Sequence, residues 1–65
     1  MRIKYFKDTG TVHIEFTDRE VVQTRAVGDN LYLDLDKTGN LVGMTIEHAP
    51  DIACFQEFSF QEVTE

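Results

Sequence analysis

The sequence predicts a mainly β domain: a small antiparallel β-meander of four to six strands, with a short C-terminal helix or an extra strand covering one face. Two observations predict this class. Apolar and polar residues alternate with period two along much of the 65-residue chain, as in strands with one buried face. The connections are short, so consecutive strands should be antiparallel neighbours. We expect one domain over residues 1–65, of the α+β class if the tail is helical.

The alternation predicts five strands. The clearest two form a hairpin, with one strand at residues 31–35 and the next at residues 41–47. The other three are predicted at residues 2–6, 11–16 and 21–27. The centre of the 21–27 stretch is polar, so this strand should be more exposed or lie at a sheet edge.

Two of the predicted turns resemble each other. Residues 7–10 and residues 36–39 both end in a glycine, Gly10 or Gly39. We expect these glycines to adopt positive φ, because glycine has no Cβ to clash there. Asp8 and Asp36 are predicted turn residues, and Asp36 should accept hydrogen bonds from turn amides. Residues 17–20 and 28–30 form the other two predicted turns.

The five strands share one apolar face, and that face needs a cover because an exposed patch of this size would aggregate. Pro50 should end the fifth strand and begin a short helix with Asp51. Residues 58–63 alternate imperfectly and are a candidate sixth strand. We expect the tail and a second subunit to share the apolar face, with interface residues in the Phe-rich segment: Phe55, Phe58 and Phe60.

Size and charge restrict the function. A chain of 65 residues with one cysteine, Cys54, cannot form an internal disulfide, so a homodimer or another binding partner is the expected source of stability. The net charge of −6 disfavours nucleic acid and anionic membranes. It suits a basic protein partner, and the alternative interpretation is that it simply keeps the chain soluble. No apolar run is long enough to span a membrane and no signal peptide is expected. A lone cysteine fits a reducing cytoplasm.

Two segments carry a family resemblance. One is Ile3-Lys4-Tyr5, and the other runs from Asp29 to Ala49 with a D-x-D-x-x-G-x-x-x-G core. These residues resemble the YuzE-like family of small bacterial proteins, a domain of unknown function. The resemblance covers about three quarters of the chain and implies a small sheet without established activity. Some members of that family resemble the antitoxin half of toxin–antitoxin pairs. Asn30 stands where the family often has Gly, and the residues after Ala49 match no family pattern.

Several residues could carry chemistry, although none forms a specific motif. Four side chains are predicted on the polar face and could hold a divalent cation: His13, Glu15, Asp34 and Glu47. Solvation of this face is the alternative interpretation. The segment from Asp34 has acidic residues and Gly39 at calcium-loop spacing, but Thr45 stands where that loop needs Glu. A second alternative is a nucleophilic Cys54 near His48 and Asp51, although nothing nearby activates the thiol.

Gly43 lies inside a predicted strand, where glycine marks a bulge or the close approach of another backbone or ring. The ring of Tyr32 could lie over it, or the position could leave room for a ligand or a dimer partner. Taken together, the residues predict a non-enzymatic, homodimeric interaction module without a cofactor, which binds a basic protein in the antitoxin manner. A small-ligand or divalent-metal-binding domain is the alternative.

Overall fold

The computed structural model describes residues 1–52 and 57–64. Five strands and one helical turn follow one another along the described chain. They are β1 (Arg2–Phe6), β2 (Thr11–Glu15), β3 (Gln23–Val27), β4 (Leu31–Leu35), β5 (Leu41–Ile46) and α1 (Ala49–Ile52). The strands form one antiparallel sheet, which confirms the predicted mainly β class. In the described part of the chain, no helix is long and apolar enough to cross a membrane.

The strand order is β1-β2-β5-β4-β3. Three of the four connections are hairpins, as predicted, but the prediction that β2 pairs with β3 is wrong. Residues 16–22 instead cross the end of the sheet, where the amides of Phe16 and Thr17 donate to the carbonyl of Val42. The order has a physical reason. Pairing β2 with β5 joins two apolar strands and leaves the polar strand β3 at the edge, where its side chains remain hydrated.

The register aligns side chains into rows across the sheet. One row contains Tyr5, Val12, Ile46, Leu31 and Val27. The next row contains Ile3, Ile14, Met44, Leu33 and Arg25. Because side chains alternate along a strand, both rows project from the same side of the sheet. We call this side of the sheet the apolar face; Arg25 is the one charged side chain in its two rows.

Few residues of the sheet are fully buried. Among the described residues the buried apolar side chains are Val12, Val42 and Ala49. Most of the apolar face is half-buried, and at its edges Ile3 and Val27 are 40% and 45% exposed. The solvent-accessible surface is 5416 Å², whereas a compact monomer of this mass exposes about 4,200 Å². The chain therefore exposes more surface than a compact monomer of its mass, and apolar side chains at the sheet edges contribute to that surface.

The chain turns sharply after β5. His48 has a φ of +56°, which lies in the left-handed region. This turn directs the chain towards the first hairpin, where the amide of Ala49 donates to the carbonyl of Gly10 at 2.7 Å. The helical turn begins at Ala49, one residue before the predicted start at Pro50.

The tail differs from its prediction. Residues 57–64 contain no strand, so they do not form a sixth strand within this chain. Phe58 and Phe60 are 70% and 82% exposed and do not cover the apolar face. Their alternation is strand-like, but a strand also needs a hydrogen-bonded neighbour, which this segment lacks within its own described chain. The third predicted interface residue, Phe55, lies outside the described residues.

The turns and β5 require glycine for different structural reasons. Gly10 and Gly39 adopt the predicted positive φ, at +70° and +85°. Gly43 is required by a close approach instead: a Cβ placed there would lie 2.9 Å from the carbonyl oxygen of Ile14. The nearest atoms do not belong to Tyr32, so the predicted contact with that ring is not the reason for the glycine. The register shift at Asp34 and Leu35 places a bulge beside it.

A Gly43→Ala substitution should destabilise the fold because its methyl group would meet backbone that cannot move without shifting β2. We expect a loss of about 1–3 kcal/mol in the free energy of unfolding, measured by urea denaturation at fixed protein concentration. Gly28→Ala is the comparison, because Gly28 has a φ of +74° and open space around it. That variant should lose about 1 kcal/mol from backbone strain alone. A Gly43→Ala variant that is as stable as the wild type would contradict this explanation of the glycine.

Candidate interaction surface

The apolar face is the strongest candidate for a functional surface. It extends over all five strands, and its two rows contain nine apolar side chains with Arg25 at one end. The centre of the face lies on β2, β5 and β4, where Val12 is buried and the other side chains of the two rows are half-buried. A partly exposed apolar surface of this extent is typical of a protein–protein contact.

The edges of this face differ. On β1 the face ends in Ile3 and Tyr5, and on β3 it ends in Arg25 and Val27. Because the long arginine side chain can cover apolar surface while keeping its charge in water, Arg25 can border a contact without being buried. The face therefore has an apolar edge and an amphipathic edge.

The opposite face is polar and internally hydrogen-bonded. The Nδ1 atom of His13 lies 2.9 Å from Oγ1 of Thr45 on the neighbouring strand. The hydroxyl of Thr24 donates to Asp34 at 2.9 Å. His13 and Asp34, two of the four side chains predicted as metal ligands, therefore have hydrogen-bond partners within the sheet. No group of three metal-ligating side chains comes together anywhere in the described part of the chain, so the geometry offers no support for the metal-binding alternative.

A contact at one end of the sheet joins the β2–β3 crossover to the β4–β5 turn. Arg19 and Asp36 form an ion pair with an Nη1–Oδ2 distance of 3.3 Å. As predicted, Asp36 also accepts hydrogen bonds from the turn: from the hydroxyl and amide of Thr38 and from the amide of Asn40. The Thr38 hydroxyl, followed by the Asn40 amide, lowers the pKa of Asp36 to about 2. We call this contact the Arg19–Asp36 clasp.

One family comparison identifies the chain. A model for the family described as "Protein of unknown function (DUF2283)" matches residues 2–49. The chain belongs to the DUF2283 family. No curated protein and no solved structure matches it.

The DUF2283 match begins at the first residue of β1 and ends at the first residue of α1. It therefore includes the whole sheet, both faces and the Arg19–Asp36 clasp. The segment after Ala49, with its three phenylalanines, lies outside the match. The YuzE-like resemblance stays a prediction.

Other candidates in this DUF2283 protein are weaker. A groove of about 550 Å³ lies beside the clasp and is open to solvent. Arg19 and Lys37 line it together with Glu20 and Asp36, so it favours no single charge of ligand. The proposed nucleophile Cys54 lies outside the described residues, and His48 is exposed.

Sequence reasoning missed two features of the site. Pairing of β2 with β5 was not predicted, although both strands are apolar and β3 is polar, a pattern that signals an edge position for β3. The Arg19–Asp36 clasp depends on that topology, because the crossover brings Arg19 to the turn only when it passes the ends of β5 and β4.

The depressed pKa of Asp36 predicts an acid-dependent contribution to stability. Because its pKa falls from 3.8 to about 2 on folding, the ionised group stabilises the fold above about pH 4, and this contribution is lost as pH falls through about 2. Asp36→Asn should therefore lower the urea midpoint at pH 7, and the difference from wild type should shrink towards pH 2. Asp8→Asn, in the first hairpin turn, controls for removal of one turn carboxylate. A difference that is constant between pH 7 and pH 2 would contradict this assignment.

Proposed function

We propose that this DUF2283 protein is a non-enzymatic interaction module that forms a homodimer through its apolar face. One observation carries the proposal: the face presents two rows of apolar side chains across five strands, and the described tail does not cover it. A sheet with one apolar face is stable when a second layer packs against that face. A second copy of the chain supplies a layer of matching size and character.

The accessible surface area of the chain is consistent with a second copy of the chain as the partner. The chain exposes 5416 Å², roughly 1,200 Å² more than a compact monomer of its mass. A stable protein–protein interface of standard size removes about 800 Å² from each partner. Part of the excess belongs to the tail, where Phe58, Phe60 and Val63 are at least 70% exposed.

The radius of gyration supports the same interpretation. It is 13.0 Å for this chain, whereas a compact domain of 65 residues has about 11 Å. The chain is therefore more extended than a two-layer domain of its length. Two sheets stacked about 10 Å apart would form a sandwich with a shared apolar core.

A twofold axis would make the contact isologous, with the same residues on both sides. Ile14, Leu33 and Met44 would lie at the centre, where side chains are fully desolvated. Arg25 would lie at the rim, where it can reach water or a carboxylate of the other subunit. This arrangement leaves the polar face and the hairpin turns exposed in the dimer.

Charge favours a basic protein as the further partner of this module. The chain carries −6, and two copies therefore carry −12 (2 × −6). Such a field speeds encounter with a positively charged protein and opposes binding to phosphate backbones. We therefore propose antitoxin-like binding of a basic protein by the dimer, in a reducing cytoplasm that suits the lone Cys54.

Two neighbouring positions of β3 test the dimer contact. Val27 and Ala26 are both exposed in the single chain, but Val27 lies on the apolar face and Ala26 on the polar face. Val27→Asp should raise the dimer dissociation constant by about tenfold or more, because each dimer gains two buried carboxylates. Ala26→Asp adds the same charge outside the contact and should leave the dissociation constant within about twofold.

Sedimentation equilibrium of the two variants and the wild type measures these constants. Equal weakening by both substitutions would mean that the effect comes from charge or strand propensity rather than from the apolar face. A wild-type chain that stays monomeric at about 100 μM would contradict the proposed dimer, since contacts of this size bind more tightly.

The basic partner is tested by capture of the tagged protein from its own lysate. At about 50 mM salt one stoichiometric basic protein should be retained, and at about 500 mM it should be released, because salt screens exposed charge pairs. Mass spectrometry identifies the retained protein, and its sequence gives its net charge. A partner that is neutral or acidic, or none at all, would contradict this part of the proposal while leaving the dimer intact.

A further inference from the structure

The negative charge of the chain is concentrated after the sheet. Residues 50–65 contain four of the twelve acidic residues and no lysine or arginine, so this part of the chain carries −4. The other eight acidic residues and all six basic residues lie in residues 1–49, which therefore carry only −2 (6 − 8). Most of the charge that favours a basic partner thus comes from the residues that follow the DUF2283 match, and not from the sheet.

The same part of the chain presents apolar side chains to solvent. We call residues 57–63 the acidic Phe segment. Its residues form no helix or strand, and its apolar side chains are exposed: 70% for Phe58, 82% for Phe60 and 70% for Val63. Aromatic residues are enriched in the buried centres of protein–protein interfaces. The acidic Phe segment therefore combines side chains that suit a buried contact with a charge that attracts a basic protein.

The spacing of these side chains suits binding in an extended conformation. Side chains alternate between two sides of an extended chain, and neighbours on one side are about 7 Å apart. Phe58, Phe60 and Glu62 would then lie on one side, and Val63 on the other. Extended peptides bind when alternate side chains enter pockets while their backbone forms hydrogen bonds. A matching site would have two apolar pockets followed by a lysine or an arginine.

A second copy of this chain suits the acidic Phe segment less well. In the proposed dimer the apolar faces of the two copies cover each other, so neither face is open to the phenylalanine rings. Charge also opposes this contact, because residues 1–49 of the other copy carry −2 and the acidic Phe segment carries no positive charge. A different protein with a positive surface meets neither obstacle.

We propose that the acidic Phe segment is the part of the chain that binds the basic protein partner. Phe58 and Phe60 enter two apolar pockets of that protein, and Glu62 pairs with a lysine or an arginine beside them. This inference rests on the proposed function and names the part of the chain that makes the contact. The sheet forms the dimer, and each dimer presents two acidic Phe segments to the partner.

Photocrosslinking from defined positions of the full chain tests which surface contacts the partner. The photoreactive amino acid p-benzoylphenylalanine takes the place of Phe58 in one variant and of Phe6 in another. Phe6 is the matched control, because it is also an exposed phenylalanine (51%) but lies in β1 of the sheet. Each tagged variant is irradiated in its own lysate at about 50 mM salt. Mass spectrometry of the crosslinked peptides then identifies the protein and the site that are joined.

From position 58 we expect a crosslink to a basic protein, at an apolar site beside lysine or arginine residues, and from position 6 we expect no such product. A basic protein that the wild-type chain retains but that does not crosslink from position 58 would overturn the role of the acidic Phe segment and leave the basic partner standing. A crosslink from position 58 to a second copy of the chain would overturn the choice of partner. A wild-type chain that retains no basic protein would overturn that part of the proposed function itself.

Two serine substitutions give a second readout without a photoreactive group. Phe58→Ser and Val63→Ser remove side chains of equal exposure from opposite sides of the extended segment. Phe58→Ser should raise the concentration of tagged protein that retains half of the partner at least about tenfold, as loss of a central aromatic contact does. Val63→Ser should change this concentration by less than about twofold, because its side chain lies outside the pockets.

Sedimentation equilibrium separates this contact from the dimer. Both variants should keep the dimer dissociation constant within about twofold of the wild-type value, because the acidic Phe segment lies outside the apolar face. Equal losses of the partner in the two variants would overturn the arrangement with Phe58 in a pocket. A dimer that is weakened about tenfold by Phe58→Ser would show that the ring contacts a second copy, and it would overturn the assignment of this ring to the basic protein.

Discussion

The structure depends on one constraint: a single five-stranded sheet with one apolar face is too thin to bury that face alone. The hydrophobic effect makes burial of the face the main source of stability. Within the described chain, however, the buried apolar side chains are limited to Val12, Val42 and Ala49. The proposed dimer follows from this shortage of cover.

The strand order partly compensates for this shortage of cover. With β5 beside β2, the apolar residues of the two hairpins form continuous rows. The polar strand β3 then lies at the edge, where its exposure costs little. The crossover that permits this order is held by backbone hydrogen bonds to Val42 and Leu35 and by the Arg19–Asp36 clasp. Gly43 lies where the strands approach most closely, and its missing Cβ leaves room for the carbonyl of Ile14.

Much of this fold could be predicted from the sequence, because its signals are local. Period-two alternation located all five strands to within two residues at each end, and Gly10 and Gly39 marked turns that need positive φ. The β2–β5 pairing could not be derived in the same way, since it depends on which of two topologies buries more apolar surface. The role of Gly43 also depends on a neighbour distant in sequence. For the tail, local alternation suggested a strand, but a strand forms only where an edge is available.

The candidate site was predicted less completely than the fold. Alternation along the sequence was enough to predict the apolar face. His13 and Asp34, however, hydrogen-bond to Thr45 and Thr24, and the described residues form no metal-binding group. Hydrogen bonds between neighbouring strands depend on register, which the sequence specifies only once the pairing is known. Membership of the DUF2283 family supports a domain of unknown function over residues 2–49, and the proposed activity therefore rests on the physical properties of the face.

The most direct test of the central claim is the thermal unfolding midpoint of the wild-type chain over a hundredfold range of protein concentration. If a second copy covers the apolar face, unfolding is coupled to dissociation, and the midpoint must rise as concentration increases. The account predicts such a rise, with a native mass of twice 7.5 kDa at the upper concentrations. A cooperative transition with a midpoint independent of concentration and a native mass of 7.5 kDa would contradict it.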